Sequence, residues 1–155
     1  MQKEKVKRAL IPYFGTQRPN KAQEEALKRL EKGGKLYFLH VIDEAPTKSV
    51  RYMTGELGEE SELIQNLQES QEELHKKVAE EYTEEAKMVS AKKGVSIESI
   101  QATGNPAEEV LKAIEEYSIE LVVLEKLREK IAEVFWGGEE RYLKNKAPCE
   151  VITVD

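Results

Sequence analysis

Short, mostly apolar runs constrain the fold of this chain more than any other feature. Such a run is typical of a strand that is buried on both faces of a sheet. A proline in the first run, Pro12, cannot donate to a backbone ladder, so we place it at the C-terminal end of that strand. The predicted strands are Ala9–Phe14, Leu36–Ile42, Ile119–Leu124 and Cys149–Val154, with a less regular third strand at Val95–Ala102, expected at an edge of the sheet.

Helical segments separate these strands. The first has alanines and leucines on one face, and the glycine pair Gly33-Gly34 is predicted to cap its C-terminus. The second has neither Gly nor Pro, and its apolar stripe is expected to pack on the sheet from Leu74 onwards. Asn105 and Pro106 are a typical N-cap and first helical residue for the third. The predicted helices are Ala22–Lys32, Glu59–Lys93, Pro106 to about Tyr117, and a further stretch from Lys126 to Trp136.

Alternating strands and helices predict βαβ units with right-handed crossovers, and therefore an α/β domain with a parallel sheet. No repeat, low-complexity tract or linker divides the sequence, so residues 1–155 are predicted to form one doubly wound domain.

Composition excludes several classes of protein. The net charge is −6, from 24 basic and 30 acidic residues, and the basic residues are interleaved with glutamate. Nucleic-acid binding requires clustered Lys and Arg, so nucleic acid is not expected as a partner. No apolar stretch is long enough to cross a membrane, and no signal peptide is recognised, so a cytoplasmic location is expected. A single cysteine excludes an intramolecular disulfide.

The sequence contains none of the common catalytic, phosphate-loop or metal-binding motifs. His40 lies inside the second strand and is interpreted as a hydrogen-bonded structural histidine, while His75 is expected on a solvated helix face. Cys149 is interpreted as a buried, inert thiol, since nothing nearby would lower its pKa. We therefore expect neither an enzyme nor a metalloprotein.

Four patches together resemble the universal stress protein family over essentially the whole chain. They are Leu10-Ile11-Pro12 followed by Gly15-Thr16, Leu39-His40-Val41, Gly104-Asn105-Pro106, and Ala147-Pro148-Cys149 leading into Val151-Ile152-Thr153-Val154. The resemblance implies a five-stranded parallel sheet in the order 3-2-1-4-5 with helices on both faces. It also implies a ligand site at the switch point between strands one and four.

ATP-binding members of that family have an acidic residue after strand one and a loop with the pattern G-x-x-G-x9-G-[ST] after strand four. Here Phe14 stands at the acidic position, and Leu124 and Leu127 stand at the first two glycines. Only Gly137 matches, with Gly138 in place of Ser or Thr. Backbone amides can curl around a phosphate only in such a glycine-rich loop. Glu139 and Glu140 follow where a helix N-terminus would otherwise attract the anion.

The resemblance implies a regulatory binding module that takes part in a stress response, and these departures predict that it does not bind ATP in the usual way and needs no cofactor. The resemblance implies a homodimer paired through the last strand, with Val151, Ile152 and Val154 at the interface, and an unidentified protein partner is also expected. The alternative is a nucleotide-binding protein for ATP or AMP with an altered pocket at Pro12, Phe14, Val41, Gly137 and Gly138. A metabolic enzyme that uses the same crevice is a third possibility, without a supporting motif.

Overall fold

The computed structural model describes residues 5–14, 18–42, 60–126 and 140–154. They form a single five-stranded parallel sheet with helices on both faces. In chain order the elements are β1 (Val6–Phe14), α1 (Asn20–Arg29), β2 (Leu30–Ile42), α2 (Glu60–Ala91), β3 (Ser96–Thr103), α3 (Pro106–Tyr117), β4 (Leu121–Glu125), a helical segment α4 (140–146) and β5 (Glu150–Val154). The predicted helix from Lys126 to Trp136 lies outside the described residues beyond its first residue.

The sheet order is β3-β2-β1-β4-β5, as the family resemblance implied. β1 is the central strand, and β3 and β5 are the edges. β1 pairs with β2 along its whole length but with β4 only at Ala9 and Leu10. Pro12 lies beyond the last β4 pair, so its missing N–H does not interrupt that ladder.

Two hydrophobic clusters fill the two faces of the sheet. Alternate residues of β1 point to opposite faces, so Ile11 belongs to the cluster under α1 and α2 while Leu10 belongs to the one under α3 and α4. Both residues are fully buried. This two-sided burial is why the first apolar run has no polar alternation.

The glycine pair was wrongly predicted to cap the first helix. α1 ends at Arg29, and the following Leu30 is already extended and begins β2. Gly33 has a φ of +89° and donates its N–H to the Gly94 carbonyl at 2.8 Å. The register of β2 on β1 shifts in this stretch, because Val6 pairs with Leu30 but Arg8 pairs with Lys35. The glycines therefore shape an irregular entry into β2.

The face of α2 that packs on the sheet agrees only in part with the predicted stripe. Leu74 and Val89 are 54% and 49% exposed and do not cover the core, whereas Tyr82 of the same stripe is buried. The buried face consists of Ala79, Tyr82, Thr83, Ala86 and Ser90. The small side chains of Ala79, Ala86 and Ser90 let the helix approach the sheet closely. The ring of Tyr82 then fills the space between the helix and the sheet.

A partly buried ion pair joins α1 to the edge strand β5. Arg29 Nη2 lies 2.6 Å from Glu150 Oε2, with side-chain exposures of 8% and 50%. A guanidinium this buried costs free energy unless an opposite charge lies beside it. Since β5 contacts only one neighbouring strand in the sheet, this pair is an important part of its attachment.

We expect Glu150→Ala to lower the free energy of unfolding by about 2 kcal/mol, because it leaves the buried Arg29 without its carboxylate. The matched control is Glu98→Ala, on the opposite edge strand β3, which removes an exposed 3.7 Å pair with Lys35 of β2. That change should cost less than about 1 kcal/mol. Urea denaturation of both variants measures the difference, and equal losses would contradict the role of the Arg29 pair.

Candidate functional site

The carboxyl ends of the strands form the edge at which open parallel α/β sheets bind ligands. Pro12, Phe14 and Val41 all lie there, and Phe14 is the register partner of Val41. Pro12 and Val41 are buried. The structure therefore brings these three predicted residues together, while Gly137 and Gly138 lie outside the described residues.

A carboxylate from β4 occupies the start of α1 at this edge. Glu125, the last residue of β4, accepts the Ala22 N–H at 2.8 Å. Pro19 at the N-cap makes no side-chain cap, and the first turn of α1 has no acidic residue. Glu125 thus satisfies one of the amides that a helix leaves unpaired at its N-terminus, and it places negative charge at the positive end of the helix dipole.

A second carboxylate is fixed at the start of the described part of α4. Glu140 Oε1 accepts hydrogen bonds from Lys144 Nζ at 2.9 Å and from Thr153 Oγ1 on β5 at 2.8 Å. These bonds, led by the one from Lys144, and the nearby charge of Lys126 lower the pKa of Glu140, although partial burial acts in the opposite direction. Glu140 is therefore ionised at neutral pH and bound by the protein's own donors.

Aromatic rings fill the face beneath α2 at the same end of the sheet. Tyr13 and His40 are register partners on β1 and β2, and their rings stack with centroids 4.9 Å apart. His40 is fully buried, which agrees with the structural role predicted for it. His75 was wrongly placed on a solvated face: its ring lies 6.0 Å from that of His40, and the residue is half-buried.

The hydroxyl of Tyr82 connects α2 to the first turn of α1. It donates to Gln23 Oε1 at 2.5 Å and lies 3.3 Å from the Pro19 carbonyl oxygen. Burial raises the pKa of Tyr82, and the negative charge of Glu125 raises it further. The phenol therefore stays protonated and acts as a donor that holds α1 in place.

The remaining polar groups show no catalytic arrangement among the described residues. Cys149 is half-buried, not buried as predicted. Burial nevertheless raises the pKa of its thiol, and the neighbouring charge of Glu150 adds to that shift, so the thiol is poorly ionised. Within the described ranges, no group of three or more His, Cys, Asp or Glu side chains could hold a metal ion. No described helix is both long enough and apolar enough to span a membrane.

The edge strand β5 pairs with β4 from Glu150 to Val154. Val151, Ile152 and Val154 are half-buried, and they pack against the two hydrophobic clusters. The Lys126 N–H donates to the Val154 carbonyl at 2.9 Å, so the backbone polar groups of Val154 point towards β4. The direction of the backbone N–H and C=O groups alternates from one residue of a strand to the next. The backbone groups of Val151 and Thr153 therefore point away from the sheet.

Sequence reasoning noticed Glu140 as a source of repulsion, but it missed what Glu140 and Glu125 each bind. Their partners Ala22 and Thr153 are supplied by other elements, and no local pattern predicts those contacts. The available signal was position: Glu125 ends a buried strand, where a parallel α/β fold brings the next helix start nearby.

Comparison with known proteins agrees with this architecture. The profile of the universal stress protein family matches residues 5–155. No curated protein sequence matches the chain. The structure of universal stress protein UspA from Lactobacillus plantarum matches with a TM-score of 0.69 and 16% identity, over 99% of this chain and 100% of that one.

Two further solved structures share the fold and contain nucleotides. A universal stress protein in complex with cAMP has a TM-score of 0.58 and 14% identity, over 97% of this chain and 98% of that one. An Arabidopsis thaliana family protein with AMP bound has a TM-score of 0.57 and 16% identity, over 96% and 91% of the two chains. Since the family profile matches nearly every residue of the same five-stranded domain, this chain belongs to the universal stress protein family.

Proposed function

We propose that this protein is a homodimeric regulatory binding module of the stress response that does not bind ATP in the manner of its nucleotide-binding relatives. As part of this proposal, the chain lacks the usual phosphate-binding glycine loop between β4 and α4. It assigns no catalytic step, since the described part of the carboxyl edge combines no nucleophile with a base.

The observation that supports this function most strongly is the carboxylate of Glu140. A helix start after β4 is where a phosphate would gain from backbone amides and the helix dipole. Glu140, the first described residue of α4, supplies a negative charge on this side of the edge, and Lys144 and Thr153 are its donors. An incoming triphosphate would face this charge and would have to compete for the cation that neutralises it.

Titration calorimetry with ATP and magnesium tests the function directly, after mass spectrometry has checked the purified protein for co-purified nucleotide. We expect no heat of binding at micromolar protein concentration and no co-purified nucleotide. Binding at micromolar affinity would refute the proposal and would favour the altered-pocket alternative.

The homodimer is proposed to form through β5. Exposed edge strands present unpaired N–H and C=O groups, which are usually covered or paired. In β5 the outward backbone groups belong to Val151 and Thr153, and the half-buried side chains of Val151, Ile152 and Val154 provide an apolar surface for a second copy.

We expect Val151→Pro to convert the dimer to a monomer, because proline removes an outward N–H without removing a bond to β4. The matched control Val151→Thr keeps both the β-branched shape and the N–H, so it should remain dimeric. Sedimentation velocity of the three proteins at micromolar concentration measures this. A wild-type monomer, or a dimer that survives in Val151→Pro, would exclude pairing through β5.

The charge on Glu140 should make stability depend on pH. Its pKa is lowered from 4.5 in the folded protein, so its stabilising contribution is complete above 4.5 and is lost as the pH falls through the lower folded value. We expect Lys144→Met to raise the pKa of Glu140 more than Thr153→Val does, because the bond from Lys144 is the larger cause. Carbon NMR titration of the glutamate carboxyl groups measures both shifts, and an unchanged Glu140 in Lys144→Met would contradict the network.

Nucleotide binding in an altered pocket is the second candidate, and it is favoured by the relatives that contain cAMP and AMP. A monophosphate carries less negative charge than ATP and would be repelled less by Glu140. The predicted pocket residues Pro12, Phe14 and Val41 are together at the carboxyl edge. Calorimetry with AMP and cAMP separates the two candidates, since only the second predicts saturable binding.

A further inference from the structure

We propose that the C-terminal end of α2 forms a docking surface for an acidic, amphipathic segment of a partner protein. This surface, hereafter the α2 C-terminal surface, consists of Met88, Val89, Lys92, Lys93 and, from β2, Lys32. It lies at the amino end of the sheet, since α2 ends just before β3 begins. The inference goes beyond the proposed function, which concerns the carboxyl edge and β5.

Two large apolar side chains are exposed next to each other near the end of α2. Met88 is 74% exposed and Val89 is 49% exposed, although another face of this helix is buried against the sheet. Isolated exposed apolar residues are normal on a protein, but contiguous ones rimmed by polar groups are typical of contact surfaces. Met88 suits such a role, because a flexible thioether adapts to partners of different shape.

Two lysines continue this surface beyond the helix. Lys92 and Lys93 follow the last residue of α2, and both are exposed. They stand about one helical turn beyond Met88 and Val89. The apolar pair and the two cations are therefore neighbours at the helix end.

A third lysine reaches the same place from β2. The Gly33 N–H donates to the Gly94 carbonyl at 2.8 Å, which ties the first part of β2 to the residue after Lys93. A Cβ atom at Gly94 would lie only 2.9 Å from Lys32 Cγ, so the Lys32 stem packs directly over this glycine. Lys32 is exposed and adds a third positive charge to those of Lys92 and Lys93.

The positive charge of the α2 C-terminal surface is not neutralised by the protein's own carboxylates. Its three lysines form no ion pair with any described residue. The carboxylates of α2 and β3 nearest to it in the chain are paired with other cations, as Glu84–Lys87, Glu85–Arg18 and Glu98–Lys35. Close to Lys32 in the chain, the charges of Lys28 and Glu31 offset each other. The surface therefore keeps a net positive charge, although the whole chain carries −6.

Compensation of the helix dipole is the competing explanation for Lys92 and Lys93. However, the carbonyls of Ser90 and Ala91 at the end of α2 already accept backbone N–H groups from the following turn. Dipole compensation also does not explain why a third lysine arrives from β2 or why an apolar pair lies exposed beside it. A partner that contacts both the cations and the apolar pair accounts for all of these features.

An acidic protein segment fits this combination better than other polyanions do. Its carboxylates complement the lysines, and its apolar side chains can cover Met88 and Val89. Nucleic acid binding draws on larger clusters of cations and on aromatic rings for base stacking, and the α2 C-terminal surface has neither. Since α2 packs on β3, the edge opposite to β5, a dimer paired through β5 would leave this surface accessible on both copies.

An NMR titration of the full chain with a synthetic peptide tests the inference. The peptide carries leucines one helical turn apart among glutamates, and a control peptide has glutamine in place of every glutamate. We expect saturable shifts at the five residues of the surface with the acidic peptide only. The affinity should fall as salt is added, because exposed charges are screened.

Charge reversal identifies where the peptide binds. We expect Lys92→Glu combined with Lys93→Glu to weaken binding of the acidic peptide at least about tenfold, since two attractions become repulsions. The matched control combines Lys76→Glu with Lys77→Glu, the same charge change beside the exposed Leu74 of the same helix, where neighbouring glutamates offset the lysines. That control should change the affinity less than about twofold, because distant exposed charges are screened.

Met88→Ser keeps every charge and should still weaken binding at least about threefold, because apolar contact is lost. All the substituted side chains are exposed, and thermal denaturation checks that each variant is folded. An absence of shifts at millimolar peptide, or equal losses in the two charge-reversal variants, would overturn the inference. Tighter binding of a single-stranded oligonucleotide or of anionic lipid vesicles at the same residues would overturn it too, by assigning the surface to another class of partner. None of these outcomes depends on ATP binding or on pairing through β5.

Discussion

Backbone pairing of β1 on both of its sides is the constraint on which the rest of the structure depends. The ladder to β2 runs to Phe14, whereas the ladder to β4 ends at the pair of Leu10 and Val122. The ends of β1 and β4 therefore separate, and the following helices leave towards opposite faces. This divergence brings the start of α1 close enough to β4 for Glu125 to reach Ala22.

Charge neutralisation within the protein is the main property of this edge. The start of α1 receives a carboxylate from β4, and the carboxylate of Glu140 in α4 is bonded to Lys144 and to Thr153 of β5. The start of α1 could stabilise an external anion in a protein that lacked Glu125. Here the same electrostatic attraction holds structural elements together, so the site gains stability from interactions that a ligand would otherwise receive.

The sequence predicts most of the fold and much less of the site. Continuous apolar runs identify β1, β2 and β4 because strands buried on both faces have no need for polar residues. Strand order came from the family resemblance and was confirmed. The packed face of α2 was predicted only at Tyr82, because large apolar residues were taken as the sign of burial, whereas close packing on the sheet also selects Ala79 and Ala86. Gly33 and Gly34 were misassigned because a glycine pair fits a helix cap and an irregular strand equally well. Glu125 and Ala22 could not be paired in advance, since only the tertiary fold makes them neighbours.

The edge strand and the candidate site are joined by the hydrogen bond between Thr153 and Glu140, so they are not physically independent. At its amino end, β5 is attached by the ion pair between Arg29 and Glu150. At its carboxyl end, the Val154 carbonyl accepts the Lys126 N–H, and the Thr153 hydroxyl donates to Glu140. The Arg29 pair lies at the amino end of β5, away from the carboxyl edge. Any change in the charge or bonding of Glu140, in contrast, acts directly on Thr153. The backbone groups of Thr153 point out from β5, towards the surface that a second copy of the chain would cover. The carboxyl end of β5 is therefore the part of the edge strand at which binding at the sheet edge and pairing of two chains would influence each other.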